Sequence, residues 1–247
     1  MGELYDTYST IMNGPQLSHQ QDIERTSRQF KQVLLPIFQA EGIRIAEASI
    51  FEFGAGWGKN LLALKALGAR NLQGADISQE QIELGRQLGL DSLRLITPED
   101  DLGQLMAGAR FDIILAYDIL EHLTIKQIEQ FAAAVRGLLR PGGLLVVEVP
   151  NDLAPLNPIR SGDLTHLRAF TGASITQFFR LCHLEPMVIR GVGFPGEGGV
   201  HRLRTWLSDW ILGPSLVLLM RILYGRADPH GIYQPNILGI GKLPGVE

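Results

Sequence analysis

The sequence predicts an α/β chain on a doubly wound, mostly parallel, seven-stranded sheet with helices on both faces. Three observations predict it. Strand and helix signals alternate with short links, as βαβ units require. FDIILAY (111–117) is nearly continuous in apolar residues, which suits a strand covered on both faces. SIFEF (49–53) runs straight into a glycine-dense loop, GAGWG (54–58), and then into a helical pattern.

The elements follow in order. Residues 1–48 precede the first strand and include a helical stretch, QQDIERTSRQFKQVLLPIF, a candidate lid or packing helix. After the loop, NLLALKAL (60–67) reads as a helix that Gly68 can stop. LQGADI (72–77) is a second strand ending at an acid. Ser78 opens the next helix with Gln81 three residues on, a capping-box signal. LRLI (93–96) is a third strand and FDIILAY a fourth. Thr124 caps TIKQIEQFAAAVRGLL, and Pro141-Gly142-Gly143 predicts a turn before a fifth strand, LLVVEV (144–149). TGASITQFFRLCHL reads as a helix, MVIRGV as a sixth strand and IYQPNILGIGKL as a seventh. Residues 193–226 form an insertion between those two strands.

The 247 residues suit a single domain with an insertion and are ample for a core. Apolar residues make up 45% and charged ones 19%, a globular balance. The net charge of −4 speaks against a non-specific nucleic-acid binder. The single cysteine, Cys182, excludes an internal disulfide and a cysteine-rich metal site, and it falls in an amphipathic helix as core. No signal-peptide pattern opens the chain, and a cytoplasmic protein is expected. The greasiest region, Trp206 to Gly225, is interrupted by Asp209, Gly213-Pro214 and Arg221. It reads as two short helices rather than a membrane span.

Three ligands compete for the glycine loop. A phosphate loop needs Gly, four residues, then Gly-Lys-Ser/Thr. Phe53 stands where the first Gly should be, and Asn60 stands in place of the hydroxyl. A dinucleotide fingerprint needs G-x-G-x-x-G, but its third place is Lys59. The remaining pattern is Glu52, Gly54, Gly56, Gly58. Glycine lets the backbone approach a ligand closely, and an acid just before the loop suits a cationic group rather than a phosphate.

With EFGAGWG, GADIS, FDIILAYDILEHL and LLRPGGLLVVEVPN in order, residues 45–185 resemble the class I (Rossmann-like) S-adenosylmethionine-dependent methyltransferases. HLRAFT (166–171) is similar to a stretch found in a subgroup of small-molecule, quinone and sugar O-methyltransferases. The resemblance implies S-adenosyl-L-methionine as cofactor and S-adenosyl-L-homocysteine as product. It places Gly54, Ala55, Gly56, Trp57 and Gly58 against the methionine part, with Glu52 organising its amino group. Asp76 would take both ribose hydroxyls, as a carboxylate accepting two bonds can, and Ile77 would cover adenine. Relatives often place an Asp after the third strand. Here Thr97 stands there, followed by Glu99, Asp100 and Asp101, so the partner of the adenine amino group is open. Tyr117 and Asp118 would lie near the sulfonium.

The resemblance also implies in-line methyl transfer, and a hydroxyl acceptor benefits from a general base. His122 and His166 are the candidates, with the choice open. Glu121, His122 and nearby acids cluster as a metal site could, but they match no firm ligand spacing, so no metal is assigned. A small-molecule or glycan acceptor is expected and no nucleic acid. A nicotinamide oxidoreductase and an inactive cofactor-binding module are the alternatives. The stretch 203–225 is expected to pack on the domain, form a homodimer face, or touch a membrane surface peripherally.

Overall fold

The computed structural model describes residues 18–156, 162–193 and 198–245. The seven expected strands form one sheet in the order β3-β2-β1-β4-β5-β7-β6. They are β1 Ser49–Phe53, β2 Asn71–Asp76, β3 Leu93–Leu95, β4 Phe111–Tyr117, β5 Leu139–Pro150, β6 Glu185–Val192 and β7 Asn236–Lys242. β1 pairs in parallel with β2 and β4, and β2 with β3. β7 runs antiparallel to β5 and β6. By packing, the chain divides into two units. One reaches Ala116 and takes in Gly137–Gly143; the other holds Tyr117–Arg136 and the chain from Leu144 on.

In the first unit, β1 is buried along its middle and β4 along nearly its whole length, as their apolar runs require. Phe51 stacks on Phe111 at 5.2 Å between ring centroids. Both are fully buried, and each such side chain contributes roughly 1.5–3 kcal/mol of burial energy. Helix α1 (His19–Val33) starts at Ser18 with a complete capping box and is followed by α2 (Leu35–Ala40). Phe30 of α1 is buried, and its Ser27 hydroxyl donates to the Ala63 carbonyl of α3 (Lys59–Ala66). The described part of the 1–48 segment is therefore a packing helix; residues 1–17 of the expected lid lie outside the described residues. α4 (Gln79–Gln87) is capped by Ser78, whose hydroxyl accepts from Gln81 N–H at 3.4 Å. α5 (Leu102–Leu105) is capped by Asp101.

In the second unit, α7 (Gly172–Leu181) begins at Thr171 with a capping box shared with Ser174. α6 (Ile125–Leu138) runs from the second unit into the first, with Thr124 and Gln127 exchanging the expected capping bonds. Cys182 closes α7 and is buried. Two expectations are corrected. The Pro141-Gly142-Gly143 turn lies inside β5, which starts at Leu139. Gly142, at φ +79°, makes a corner there, and the ladder with β7 begins only at Leu144. The insertion is not two separate short helices. α8 (Gly198–Leu207), a π turn (Ser208–Leu212) and α9 (Gly213–Tyr224) run on as one helix of 27 residues. Pro214 does not break it, because the wide turn just before absorbs its missing N–H: Gly213 N–H bonds to the Ser208 carbonyl, five residues back.

Candidate functional site

The cofactor candidates of the first unit gather at the carboxyl ends of β1 and β2, beside the point where strand order reverses. Gly54, Gly56 and Gly58 all have left-handed backbone, at φ +71°, +53° and +80°. Side chains other than glycine rarely take this conformation, so the spacing of the three is a backbone requirement. Gly58 also caps α3. An added Cβ at Gly56 would meet one atom within 4 Å, the Gln81 side-chain oxygen at 3.6 Å, so this loop face has room for a ligand.

The acids beside the loop are held in place by hydrogen bonds. Asp76 accepts the Gly56 N–H at 2.7 Å through one carboxyl oxygen and the Ser78 N–H at 2.8 Å through the other. The helix cap falls to Ser78, so Asp76 organises the loop. With about four lone-pair directions, its carboxylate retains acceptance for two hydroxyls. Burial lifts its carboxyl above the ordinary value, against the opposing N–H donors of Ser78, Gly56 and Ile77. Glu52 is buried and accepts from the Asn60 amide at 2.6 Å. Asn60, which stands where a phosphate loop would carry a hydroxyl, thus fixes the acid. Ile77 is half-buried directly after Asp76. Trp57 lies against His19 of α1, with ring centroids 4.9 Å apart. At the exit of β3, Asp100 turns back and accepts the Thr97 N–H at 2.6 Å, while Asp101 is occupied capping α5.

Sequence reading missed Gly85. It lies in the middle of α4, where alanine would ordinarily be favoured. A Cβ there would sit 2.8 Å from the Trp57 carbonyl oxygen and 2.3 Å from a Leu93 methyl. Gly85→Ala is therefore expected to destabilise the chain by about 1–3 kcal/mol rather than stabilise it. Thermal unfolding checks this; a raised midpoint contradicts it.

The second unit carries the other candidates. Tyr117 ends β4 half-buried, and Asp118 follows in left-handed backbone at φ +49°, its N–H bonded to the Glu148 carbonyl. Leu120–His122 make a single 3₁₀ turn. The loop bearing His166 is fastened onto that turn: Leu167 and Arg168 N–H donate to the Glu121 carbonyl, and the Arg168 side chain donates to Leu123. Phe170 anchors the loop in the core, and Thr171 starts α7, so the end of HLRAFT has structural work. The folding brings the two histidine rings edge to face, 4.8 Å apart.

Asp163 and Thr165, not singled out from sequence, orient His122. The Thr165 hydroxyl lies 2.6 Å from the Asp163 carboxylate and 2.9 Å from His122 Nδ1. Its one proton serves the carboxylate, so the network assigns the imidazole proton to Nδ1 and leaves Nε2 as the basic nitrogen. Burial, and then His166, hold His122 below the ordinary imidazole value. The imidazole is neutral at pH 7 and able to take a proton. His166 Nε2 lies 3.9 Å from Glu121 and 3.8 Å from Asp163. Glu121 is 1% exposed, and neither carboxyl oxygen makes a hydrogen bond among the described residues. Burial first, and the Asp118 charge next, push its carboxyl up to about 9, so it is protonated at neutral pH. Glu121, His122 and His166 offer donor atoms within 4.8 Å of one another, a grouping that could also hold a cation. Cys182 is no nucleophile: burial pushes its thiol up to about 12.

Residues 51–145 match a family model described as a methyltransferase domain. No protein of curated function matches the chain. Among solved structures, an S-adenosylmethionine-dependent methyltransferase from Archaeoglobus fulgidus is 16% identical with a TM-score of 0.61, over 89% of this chain and 94% of that one. The magnesium protoporphyrin IX methyltransferase of Synechocystis, solved with bound S-adenosylhomocysteine, is 13% identical with a TM-score of 0.58, over 97% and 96%. An S-adenosylmethionine-dependent methyltransferase from Clostridium acetobutylicum is 12% identical with a TM-score of 0.59, over 98% and 97%. These likenesses establish the fold.

Proposed function

We infer, from the methyltransferase domain over residues 51–145, that the chain is an S-adenosylmethionine-dependent methyltransferase, and we propose that it methylates oxygen on a small-molecule or glycan acceptor. The observation that carries the cofactor is the loop: three left-handed glycines tied by the Gly56 N–H to the Asp76 carboxylate. Glu52 and the loop backbone hold the amino-acid end, Asp76 the ribose, and Ile77 with the Thr97 turn the adenine. When bound, S-adenosylmethionine supplies a methyl group on a sulfonium centre, open to in-line displacement.

The chain itself contributes orientation and a proton acceptor. An alcohol or phenol must lose its proton as it is methylated, and a positioned base contributes typically 10²–10⁴-fold. His122 fits this role better than His166, because Asp163 and Thr165 fix its Nε2 as the basic nitrogen. His166 and the protonated Glu121 complete the polar wall around it.

The test is a pH profile of methyl transfer to an acceptor identified by screening. The acid limb of kcat is expected below the usual imidazole range, since His122 is held below it. His122→Ala is expected to lower kcat by about 10²–10⁴-fold with cofactor affinity kept. Thr165→Val, which removes the hydroxyl link to Asp163 but keeps the Thr165 backbone bond to the ring, is expected to lower kcat and move the acid limb. A full rate in His122→Ala removes the base assignment.

A further inference from the structure

We propose that the helix of residues 198–224 is a membrane-surface helix that seats the protein on an anionic phospholipid bilayer. The proposal rests on this helix alone and is independent of the methyl-transfer reading.

The helix has no buried residue along its whole length. Trp206, Trp210, Leu218 and Ile222 are 51%, 73%, 60% and 71% exposed. Together with Pro214 they recur every four residues, a stripe that winds slowly around the helix, and Leu203, Leu212, Leu219 and Leu223 are exposed beside it. This is a large apolar surface to leave in water, and such surfaces mark interaction sites. Two contacts tie the helix to the protein's own chain. The Asp209 carboxylate accepts from the Gln234 amide at 2.9 Å, and a Cβ added at Gly231 would meet a Val217 methyl at 3.4 Å.

Charge selects the occupant. From Gly198 to Arg226 the segment carries Arg202, Arg204, Arg221 and Arg226 against the single acid Asp209, in a chain whose net charge is −4. The one acid is turned to Gln234. The arginines stand near the two ends of the helix, flanking an apolar middle, and Trp206, Trp210 and Tyr224 are the residue types that sit at the headgroup level. A basic, aromatic, apolar helix of this kind fits an anionic lipid surface.

By length and composition alone the 27-residue helix could cross a membrane, but we place it on the bilayer surface. Its longest uncharged stretch, Trp210–Met220, extends about 16 Å against roughly 30 Å of hydrocarbon, with Asp209 and Arg221 at its two ends. The fold gives a second reason. Val192 of β6 pairs with Asn236 of β7, so the chain leaves and returns at adjoining points of one sheet. A single crossing would strand Gly225 on the far side. The short non-helical stretch before β7 would then have to recross the hydrocarbon with its backbone groups unbonded, which lipid does not tolerate.

Vesicle flotation of the full chain tests this, with phosphatidylcholine alone and with added phosphatidylglycerol, at low and high salt. The chain is expected to float with the anionic vesicles, less so at high salt, and to stay behind with the neutral ones. Trp210→Glu with Ile222→Glu is expected to abolish flotation. Arg202→Glu with Arg204→Glu is expected to lower partitioning on the order of tenfold. All four side chains are exposed, so the thermal midpoint should hold in both variants. A chain that stays behind with every vesicle overturns the proposal, as does flotation unchanged by Trp210→Glu with Ile222→Glu. Loss of a dimer in that variant, with no flotation by the parent chain, assigns the face to a second copy and overturns it too.

Discussion

Asp76→Ala is expected to weaken S-adenosylhomocysteine binding by at least about a hundredfold. The substitution removes two things at once. A ribose loses a charged acceptor for its hydroxyls, and bonds to charged groups contribute roughly 1.5–3 kcal/mol each. The loop also loses its tether, because the Gly56 N–H bonds to the same carboxylate. Asp76→Asn keeps one carbonyl oxygen as acceptor and is expected to fall between. Equilibrium titration of both variants, with circular dichroism as a check on folding, measures this. Unchanged affinity in Asp76→Ala would remove the ribose role and leave Asp76 as a loop anchor.

Glu121→Gln is expected to stabilise the fold, and more so as pH rises. The folded carboxyl titrates near 9 because it is buried and faces Asp118, whereas the unfolded chain titrates near the ordinary 4.5. Below 4.5 both states hold the proton. Between 4.5 and about 9 only the unfolded chain releases it, so this residue lowers stability progressively as pH rises through that window. Above 9 the loss levels off. Glutamine keeps the shape and removes the titration. The gain over the parent chain is expected to be small at pH 5 and on the order of 1–3 kcal/mol at pH 7. Urea unfolding at both pH values checks it; a gap that does not widen with pH contradicts the buried, protonated assignment.

The glycine loop was legible because its chemistry is local. Three glycines two apart, an acid before them and an acid ending the next strand are adjacent elements of a βαβ unit. Backbone sterics then leave few ways to fold them. Gly85 and Asn60 were not legible. One is a glycine in a helical pattern, and the other sits where a different motif would place a hydroxyl. Each acts by a contact that only packing reveals: the Trp57 carbonyl for Gly85, the Glu52 carboxylate for Asn60. The His122–Thr165–Asp163 chain was half legible. His122 and His166 stood out as titratable residues after strands. The hydroxyl and acid that orient His122 lie more than forty residues away in sequence and are joined by the 167–168 backbone docking on Glu121.

The insertion went the other way. Gly213-Pro214 and Asp209 are breakers by local rules, yet the helix continues, because a π turn accommodates the proline and Gln234 receives the aspartate. Propensity yields there to a backbone adjustment that sequence patterns do not encode.

The central claim is that the loop of residues 54–58 holds S-adenosylmethionine. Calorimetric titration of the purified chain with S-adenosylmethionine, S-adenosylhomocysteine and NAD tests it most directly. The account predicts one site per chain, micromolar affinity for the two sulfur compounds and no heat with NAD. Saturable NAD binding with none for S-adenosylhomocysteine would contradict it.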